Sequence, residues 1–174
     1  MKNKVAIVTG AGRGIGKAIA FSLAHAGADV VVSARTESEI NSVAREIEGY
    51  GRRAIAVKAD VPDEVDVKSL ISKTIGQFGK IDILVNNAGI GMFAKVEELP
   101  IHDFDAMWTS NIRGVFLCTR AVIPYMTKQK SGDIINISSL AGRNAFIGGA
   151  GYCATKWALI GFSQIGRASC RERV

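Results

Sequence analysis

The sequence predicts a doubly wound parallel α/β sheet. Short apolar runs alternate with amphipathic stretches, which is the pattern of strands joined by crossover helices. A glycine-rich turn follows the first apolar run, and unusual polar residues stand where the later runs end. Apolar residues make up 48% of the 174 residues and charged residues 22%, which is typical of a globular domain.

Five apolar runs are predicted to be strands, because a strand buried on both faces shows no polar alternation. They cover residues 5–8, 29–33, 54–57, 81–85 and 133–138. Helices are predicted from the glycine-rich turn to Gly27, over 39–50, 63–78 and 101–128 with an interruption near Asn111, and from about Gly151. The inner side of the first helix is predicted to carry Ala18, Ile19, Phe21, Leu23 and Ala24.

The ends of the five runs carry residues that suit a ligand site. Right-handed crossovers bring the carboxyl ends of parallel strands to one edge of a sheet. The residues predicted at that edge are Gly10, Arg35, Asp60, Asn87 and Ser139. Ligands of Rossmann-type sheets bind at this edge, where the strand order reverses, so the pattern predicts a binding site there.

The glycine-rich turn reads Thr9-Gly10-x-x-x-Gly14-x-Gly16. Glycine lets a backbone approach phosphate groups, and the N-terminus of the following helix favours their negative charge. The spacing differs from GxGxxG, since Ile15 stands where that pattern requires a third glycine. A tight strand-to-helix turn without a ligand remains open at this point.

The end of the second strand bears on the choice of nucleotide. An NAD site carries an acidic residue there, whereas this chain has Arg35, whose planar fork suits a 2′-phosphate. Arg13 in the glycine turn offers a second cation. The pair favours NADP over NAD, although Glu37 is close and two solvated arginines remain an alternative.

Tyr152 and Lys156 are four residues apart and would share one face of a helix. An ammonium beside a phenol favours the phenolate, and Ser139 upstream could hydrogen-bond a substrate oxygen. This set suits reduction of a carbonyl or oxidation of an alcohol. A surface helix that carries this common spacing by chance is the alternative.

Taken together, these motifs resemble the short-chain dehydrogenase/reductase family over residues 1–164. The resemblance rests on the glycine turn, on Asp60-Val61 and Asn86-Asn87-Ala88-Gly89, and on a tetrad of Asn111, Ser139, Tyr152 and Lys156, with Ser139 thirteen residues before Tyr152. Within that family, the chain looks similar to bacterial 3-oxoacyl-acyl-carrier-protein reductases and related NADP-dependent carbonyl reductases.

The resemblance implies a role for each matching residue. Tyr152 would exchange a proton with the substrate oxygen, Lys156 would tune Tyr152, Ser139 would orient the substrate, and Asn111 would support a water-linked proton path. Asn86 would be structural. The residues implied to contact the cofactor are Gly10, Arg13, Gly14, Ile15, Gly16, Arg35, Asp60, Val61, Asn87, Ala88, Gly89, Tyr152 and Lys156. Hydride would come from NADP itself, so no metal is expected.

The resemblance implies a small-molecule ketone or acyl thioester as substrate. Apolar residues flank the tetrad and could line its pocket, with core or subunit contacts as the alternative: Met92, Phe93, Leu140, Phe146 and Ile147. Two alternatives stay open, namely an alcohol or sugar dehydrogenase of the same family and a catalytically silent dinucleotide-binding protein. A homo-oligomer is expected, with contacts through the helices around 111–128 and after Tyr152.

The remaining composition excludes several classes. Net charge is only +6 and the basic residues are dispersed, so no nucleic-acid surface is predicted. No apolar run is long enough to span a bilayer, and the N-terminus lacks the pattern of a signal peptide. Three isolated cysteines, Cys118, Cys153 and Cys170, suggest free thiols in a reducing cytoplasm.

The last ten residues, 165–174, break the apolar periodicity and resemble the translation of a sequencing adapter, with a genuine divergent C-terminus as the alternative. We therefore expect a Rossmann domain over 1–164 that is truncated, followed by a non-native tail. The sheet would be incomplete at its C-terminal edge, with the fifth strand exposed. The 174-residue polypeptide by itself is expected to aggregate or to be inactive, and the full-length parent to be an enzyme.

Overall fold

A computed structural model describes residues 1–171 of the chain, with side chains described through residue 164. The strands are β1 Val5–Thr9, β2 Asp29–Ala34, β3 Ala54–Lys58, β4 Ile83–Asn86 and β5 Asp133–Asn136. The α-helices are α1 Gly14–His25, α2 Glu37–Gly49, α3 Glu64–Phe78, α4 Ile101–Trp108, α5 Gly114–Gln129 and α6 Ala150–Arg171. A π-helical turn, Thr109–Arg113, joins α4 to α5, and a 3₁₀ turn, Leu140–Gly142, follows β5.

The strands form one sheet in the order β3-β2-β1-β4-β5. The pairs β1–β2, β1–β4 and β2–β3 are parallel, with Ile7 opposite both Val31 and Leu84. The order reverses between β1 and β4, so right-handed crossovers place α1 and α2 on one face and α3 and α5 on the other. This is the doubly wound Rossmann-type arrangement that the sequence predicts.

The described chain divides into two compact units. The first, here the sheet unit, comprises residues 1–88 and 114–135, and the second, here the α6 unit, comprises residues 89–113 and those from 136 onward. The core of the sheet unit is formed by branched side chains from the strands, α3 and α5, among them Ile7, Val31, Leu70, Leu84 and Val122. In the α6 unit, α6 packs on α4, the π turn and the 3₁₀ turn.

Local chemistry explains the helix boundaries. Asp63 caps α3 by accepting hydrogen bonds from the backbone amides of Val65 and Asp66 at 2.7 and 3.2 Å. Gly79 ends the helix in the left-handed conformation, with φ of 75°. The predicted start of this helix is thus confirmed to within one residue.

The prediction for the inner face of α1 is partly wrong. Ala18 is exposed, while Gly16, Ala20, Leu23 and Ala24 are buried. The buried positions follow the i, i+4, i+7, i+8 spacing of a helical stripe, and Ala18 lies on the other side of the helix. Its small apolar side chain says little about which face it occupies.

The interruption predicted near Asn111 is confirmed. The π turn holds Asn111, which is buried, between two regular helices. A π turn adds a residue to the helical repeat, and such turns are frequent at functional sites. The irregularity therefore marks this segment for attention.

β5 is the last strand in the order, and Ile135 on it is 44% exposed, in agreement with the expected apolar edge. Within the described residues, none of the helices combines the length and apolarity required to cross a membrane. Cys118 and Cys153 are free thiols, and burial raises the pKa of Cys118 to about 12. The side chains of the predicted tail from residue 165, Cys170 included, and all of residues 172–174 lie outside what is described.

Candidate active site

The glycine turn connects β1 to α1 in the sheet unit and is packed tightly at some of its glycines and open at another. A methyl group added at Gly16 would lie 2.2 Å from the carbonyl oxygen of Gly10 and 2.4 Å from Nδ2 of Asn87. A methyl group added at Gly14 would meet no atom within 4 Å, and the φ of Gly14 is +55°. The turn thus needs glycine for close packing at Gly16, while its backbone at Gly14 is open to a ligand.

The N-terminus of α1 differs from that of α3. Arg13 stands at the N-cap of α1 without a capping side-chain hydrogen bond, and the first turn carries no acidic residue. In α3 the cap is Asp63, and Glu64 and Asp66 follow in the first turn. The α1 amides are therefore left for an anion, since uncapped helical N–H groups and the helix dipole favour negative charge. This arrangement fits the phosphates of a dinucleotide.

Asn87 braces the glycine turn. Its Nδ2 donates to the carbonyl oxygens of Thr9 and Gly10 at 3.0 and 3.1 Å. The buried Oγ1 of Thr9 in turn accepts hydrogen bonds from the amides of Asn87 and Ala88 at 3.0 and 3.1 Å. The structure thus brings the end of β4 against the end of β1, as the parallel pairing requires.

The neighbouring Asn86 has a different role. Its Nδ2 donates to Oγ1 of Thr119 at 3.2 Å inside the core, which confirms the expectation that it is structural.

Two cations and the end of β3 complete the predicted nucleotide residues in the sheet unit. Arg13 and Arg35 are exposed, and neither forms an ion pair with a described carboxylate. The amide of Asp60 donates to Oδ2 of Asp66 at 2.8 Å, while its own side chain is exposed. Val61 belongs to the hydrophobic core. Gly114 packs closely against it, since a methyl group added at Gly114 would lie 2.6 Å from Cγ2 of Val61. Ile15 is largely exposed.

In the α6 unit, Tyr152 and Lys156 occupy successive turns of α6. Lys156 Nζ lies 5.7 Å from the centroid of the Tyr152 ring. Lys156 is only 7% exposed, and Nζ donates to the carbonyl oxygen of Ile137 at 2.9 Å. Burial lowers the pKa of Lys156 below its ordinary value. The predicted one-face placement of the two side chains is found.

Asn111 is held by a short network of hydrogen bonds. Its Oδ1 accepts from the amide of Ile90 at 2.8 Å, and its Nδ2 donates to the Ile90 carbonyl at 2.9 Å and to Thr155 Oγ1 at 3.0 Å. A methyl group added at Gly89 would lie 2.9 Å from Asn111 Oδ1 and 3.8 Å from Lys156 Nζ. Asn111 and Lys156 therefore converge on the same stretch of backbone.

Ser139 stands at the cap of the 3₁₀ turn. Its Oγ accepts a hydrogen bond from the amide of Ala141 at 3.1 Å. Because that bond uses only an acceptor lone pair, the hydroxyl hydrogen of Ser139 remains available as a donor. Ser139 is partly buried, so a substrate oxygen could still reach it.

Comparison with protein families assigns the chain to a known family. The family described as short chain dehydrogenase matches residues 4–173. The chain belongs to this short-chain dehydrogenase family.

Relatives within the short-chain dehydrogenase family include two bacterial 3-oxoacyl-[acyl-carrier-protein] reductases. The protein of Synechocystis sp. is 47% identical over 162 residues, covering 92% of this chain and 66% of its own length. The protein of Staphylococcus epidermidis is 40% identical over 163 residues, covering 93% of this chain and 67% of its own length. The chain thus spans about two thirds of the length of the curated relatives it matches.

Two solved structures are similar to this short-chain dehydrogenase chain. A 3-ketoacyl-ACP reductase from Sinorhizobium meliloti has a TM-score of 0.88 at 40% identity, covering 91% of this chain and 63% of its own. A metagenomic short-chain oxidoreductase in complex with NADP has a TM-score of 0.93 at 38% identity, covering 98% of this chain and 78% of its own.

Sequence reasoning gave no role to two buried threonines that support the glycine turn and the tetrad of this short-chain dehydrogenase chain. Thr9 ties the glycine turn to β4, and Thr155 donates to the carbonyl oxygen of Tyr152 at 2.8 Å while accepting from Asn111. A signal existed for both: Thr9 is the polar end of an apolar strand, and Thr155 lies between Tyr152 and Lys156 on the buried side of α6.

Proposed function

We propose that this chain carries the catalytic residues of an NADP-dependent oxidoreductase that transfers hydride between nicotinamide and a carbonyl or secondary alcohol. The favoured reaction is reduction of a 3-oxoacyl thioester or a similar ketone. The observation that carries the proposal is the buried Lys156, which faces the ring of Tyr152 and is paired with a carbonyl oxygen instead of a carboxylate. An amine that is buried beside a phenol without a carboxylate partner suits acid–base chemistry better than fold stability.

Each residue of the tetrad has a separate task in this proposal. Tyr152 gives its proton to the carbonyl oxygen, and the Lys156 ammonium favours the phenolate that this leaves. Ser139 donates its free hydroxyl hydrogen to the same oxygen and orients it. Both amide hydrogens of Asn111 are used by Ile90 and Thr155, whereas its Oδ1 accepts only one hydrogen bond, from Ile90. A water of the proton path would therefore donate to the remaining lone pair of Oδ1 or bind backbone groups of the π turn.

The residues of the sheet unit would hold NADP, which supplies the hydride when bound. The open backbone at Gly14 and the uncapped N-terminus of α1 suit the diphosphate, and Asn87 keeps the turn in place. Arg13 and Arg35, exposed and without carboxylate partners in the described chain, would receive the 2′-phosphate. The NADP found in a structural relative supports this choice.

The reductase relatives support the thioester substrate, since two of them are named for reducing 3-oxoacyl groups on acyl carrier protein. We also propose that the protein self-associates. Phe116, Ile123 and Tyr125 on α5 are about half exposed, and apolar side chains at this level of exposure are common in subunit contacts. Light scattering of the full-length protein tests this, and a monomer at all concentrations would contradict it.

The activity test uses the full-length parent that the sequence analysis expects. It measures NADPH oxidation across a panel of ketones that includes acetoacetyl thioesters. Tyr152→Phe should lower turnover by about a hundredfold or more, because the acid–base group is lost. Its affinity for NADPH, measured by fluorescence, should stay within about twofold, since the Tyr152 hydroxyl is one contact among many. Equal turnover in parent and variant would reject the acid–base role and favour a silent dinucleotide-binding protein.

A further inference from the structure

In the α6 unit, Tyr152 of the tetrad is the first of three aromatic rings in series, followed by Phe93 and Phe146. The centroid of Phe93 lies 5.5 Å from that of Tyr152, with the planes at 72°. The centroid of Phe146 lies 5.8 Å from that of Phe93, with the planes at 48°. Both separations are in the range where aromatic pairs attract each other, and the first has edge-to-face geometry.

The backbone passes close to both phenylalanine rings. A methyl group added at Gly91 would lie 3.0 Å from Cζ of Phe93 and 3.2 Å from Cδ2 of Tyr152. A methyl group added at Gly149 would lie 2.6 Å from the ring of Phe146. The segments that carry the two phenylalanines are joined, because the amide of Ala94 donates to the carbonyl of Gly148 at 2.9 Å. The loops that carry the two rings are therefore tied to each other.

These rings are also exposed. Phe93 is 61% exposed and Phe146 49%, although each has an aromatic neighbour. Leu140 and Ile147 nearby in sequence are exposed as well. An exposed apolar surface beside Tyr152 costs free energy in water, and such surfaces are typical of ligand sites.

We propose that Phe93 and Phe146 receive the apolar substituent of the carbonyl substrate, and that Phe93 also positions the ring of Tyr152. This rests on the proposed acid–base role of Tyr152. A carbonyl oxygen at the Tyr152 hydroxyl places the first carbons of its substituent beside Phe93, and a longer or aromatic substituent reaches Phe146. The pair selects for alkyl or aryl ketones and against substituents with a hydroxyl or a charge, which would lose hydration there. Phe93 is a positioning and specificity residue.

The test uses the three tyrosines of the chain as probes. The protein is labelled with 3-fluorotyrosine, and the ¹⁹F resonances are assigned with Tyr50→Phe and Tyr125→Phe. Titration with 4-phenyl-2-butanone should shift the Tyr152 resonance to saturation, and 4-hydroxy-2-butanone should bind about tenfold more weakly, since it cannot cover the rings. This readout needs no turnover, so it reports substrate binding separately from catalysis.

Phe93→Leu should weaken binding of the phenyl ketone about five- to tenfold, and it should move the resonance of free Tyr152 because the edge-on ring is gone. Phe146→Leu should weaken binding but leave the free Tyr152 resonance in place, since its ring contact is with Phe93. Phe93→Trp keeps an aromatic ring without adding a labelled tyrosine, and it should bind the phenyl ketone nearly as well as the parent. Phe21→Leu is the matched control: Phe21 pairs with Tyr50 at 6.0 Å, so only the Tyr50 resonance should move.

The proposal is overturned if the two ketones bind equally, or if neither shifts Tyr152 at about 10 mM. It is also overturned if Phe93→Leu, folded by circular dichroism, changes neither binding nor the Tyr152 resonance. Failure of the proposed function looks different: the phenyl ketone would shift Tyr152 as expected, yet the full-length protein would not oxidise NADPH with any ketone.

Discussion

Asp82 in the sheet unit and Lys156 in the α6 unit are both buried ionisable side chains, at 5% and 7% exposure. Asp82 precedes β4 and accepts from the amide of Val5 at 2.8 Å, and it pairs with Lys4 at 3.1 Å and Lys80 at 2.9 Å. Lys156 has the carbonyl oxygen of Ile137 as its partner and is not ion-paired within the described chain. One charge is neutralised by its surroundings, and the other is not.

The pKa directions express this difference. Burial alone would raise the pKa of Asp82, but hydrogen bonds from Lys80, Val5 and Lys4 outweigh it and hold the pKa below the ordinary value. Burial lowers the pKa of Lys156. The Asp82 carboxylate therefore stabilises the fold, whereas the charged form of Lys156 costs stability. An uncompensated buried charge of this kind indicates function more than folding.

The largest expected effect separates these two roles at Lys156. Lys156→Met should lower turnover of the full-length protein by about a hundredfold or more, because Tyr152 loses its neighbouring cation. The same change should leave the melting temperature unchanged or higher, since it replaces an unpaired buried ammonium by an apolar chain. Lys128→Met, at an exposed position on α5, is the control and should affect neither quantity. A clear drop in melting temperature with turnover retained would show that Lys156 stabilises the fold and is not needed for catalysis.

Asp82→Asn should show the opposite combination. The free energy of unfolding should fall by about 2 kcal/mol, because two lysines lose their carboxylate and the buried amide of Val5 keeps only a neutral acceptor. NADPH affinity should not change, since Asp82 bonds to the start of β1 and the glycine turn follows its end. Urea denaturation and fluorescence titration measure the two quantities, with the exposed neighbour Asp133→Asn as control. Weaker NADPH binding at unchanged stability would contradict this.

Acid should act through the same carboxylates. Asp29 also has a pKa below its ordinary value of 3.8, because the hydrogen bond and charge of Arg53 and the charge of Arg52 outweigh its burial. Both aspartates bind protons more weakly in the native state than in the unfolded state. Their stabilisation is therefore complete above 3.8 and is lost as the pH falls through the lowered native values.

Unfolding free energies measured between about pH 6 and about pH 2.5 should fall steeply at the acid end, and less steeply in Asp82→Asn. Lys156 should not contribute there, because a lowered lysine pKa adds stability only as the pH rises through its native value towards 10.5. If the unfolding free energy falls equally steeply with acid in the parent and in Asp82→Asn, the ion pairs of Asp82 do not stabilise the fold.

The smallest expected effect concerns the cap of α3. Asp63→Ala should lower the unfolding free energy by about 1 kcal/mol, because two amides lose their acceptor. Asp63→Ser keeps an acceptor and should recover most of the loss. Neither change should affect NADPH affinity, since α1, whose N-terminus has no such cap, is the helix assigned to the phosphates. A loss of NADPH binding in Asp63→Ala would contradict the assignment of the phosphate site to the N-terminus of α1.

Much of the fold could be predicted because it depends on local patterns. Apolar runs without alternation are found as β1 and β2, and the cap of α3 follows from Asp63 preceding a helical stripe. Asn111 could be marked as an interruption, although its π geometry could not. The side of α1 that Ala18 occupies was predicted wrongly, because alanine fits either environment.

The bracing of the site could not be predicted, because it joins residues distant in sequence. Asn87 holds Gly10 across 77 positions, and Thr155 accepts from Asn111 across 44. Phe93 was recognised as apolar, but its edge-on contact with Tyr152 depends on how two loops meet. Hydrogen bonds and ring contacts of this kind depend on distance in space, which the order of residues does not state.

The sequence by itself determined the strand and helix succession, the glycine turn and the Tyr152–Lys156 spacing, because periodicity and backbone preference act over a few residues. Only the tertiary structure decided that Lys156 is buried without an ion pair among the described residues, that the first turn of α1 is uncapped beside an open glycine, and that the ring of Phe93 lies edge-on to Tyr152. Burial and charge pairing are properties of the packed chain. They arise when segments far apart in sequence exclude water from the same volume.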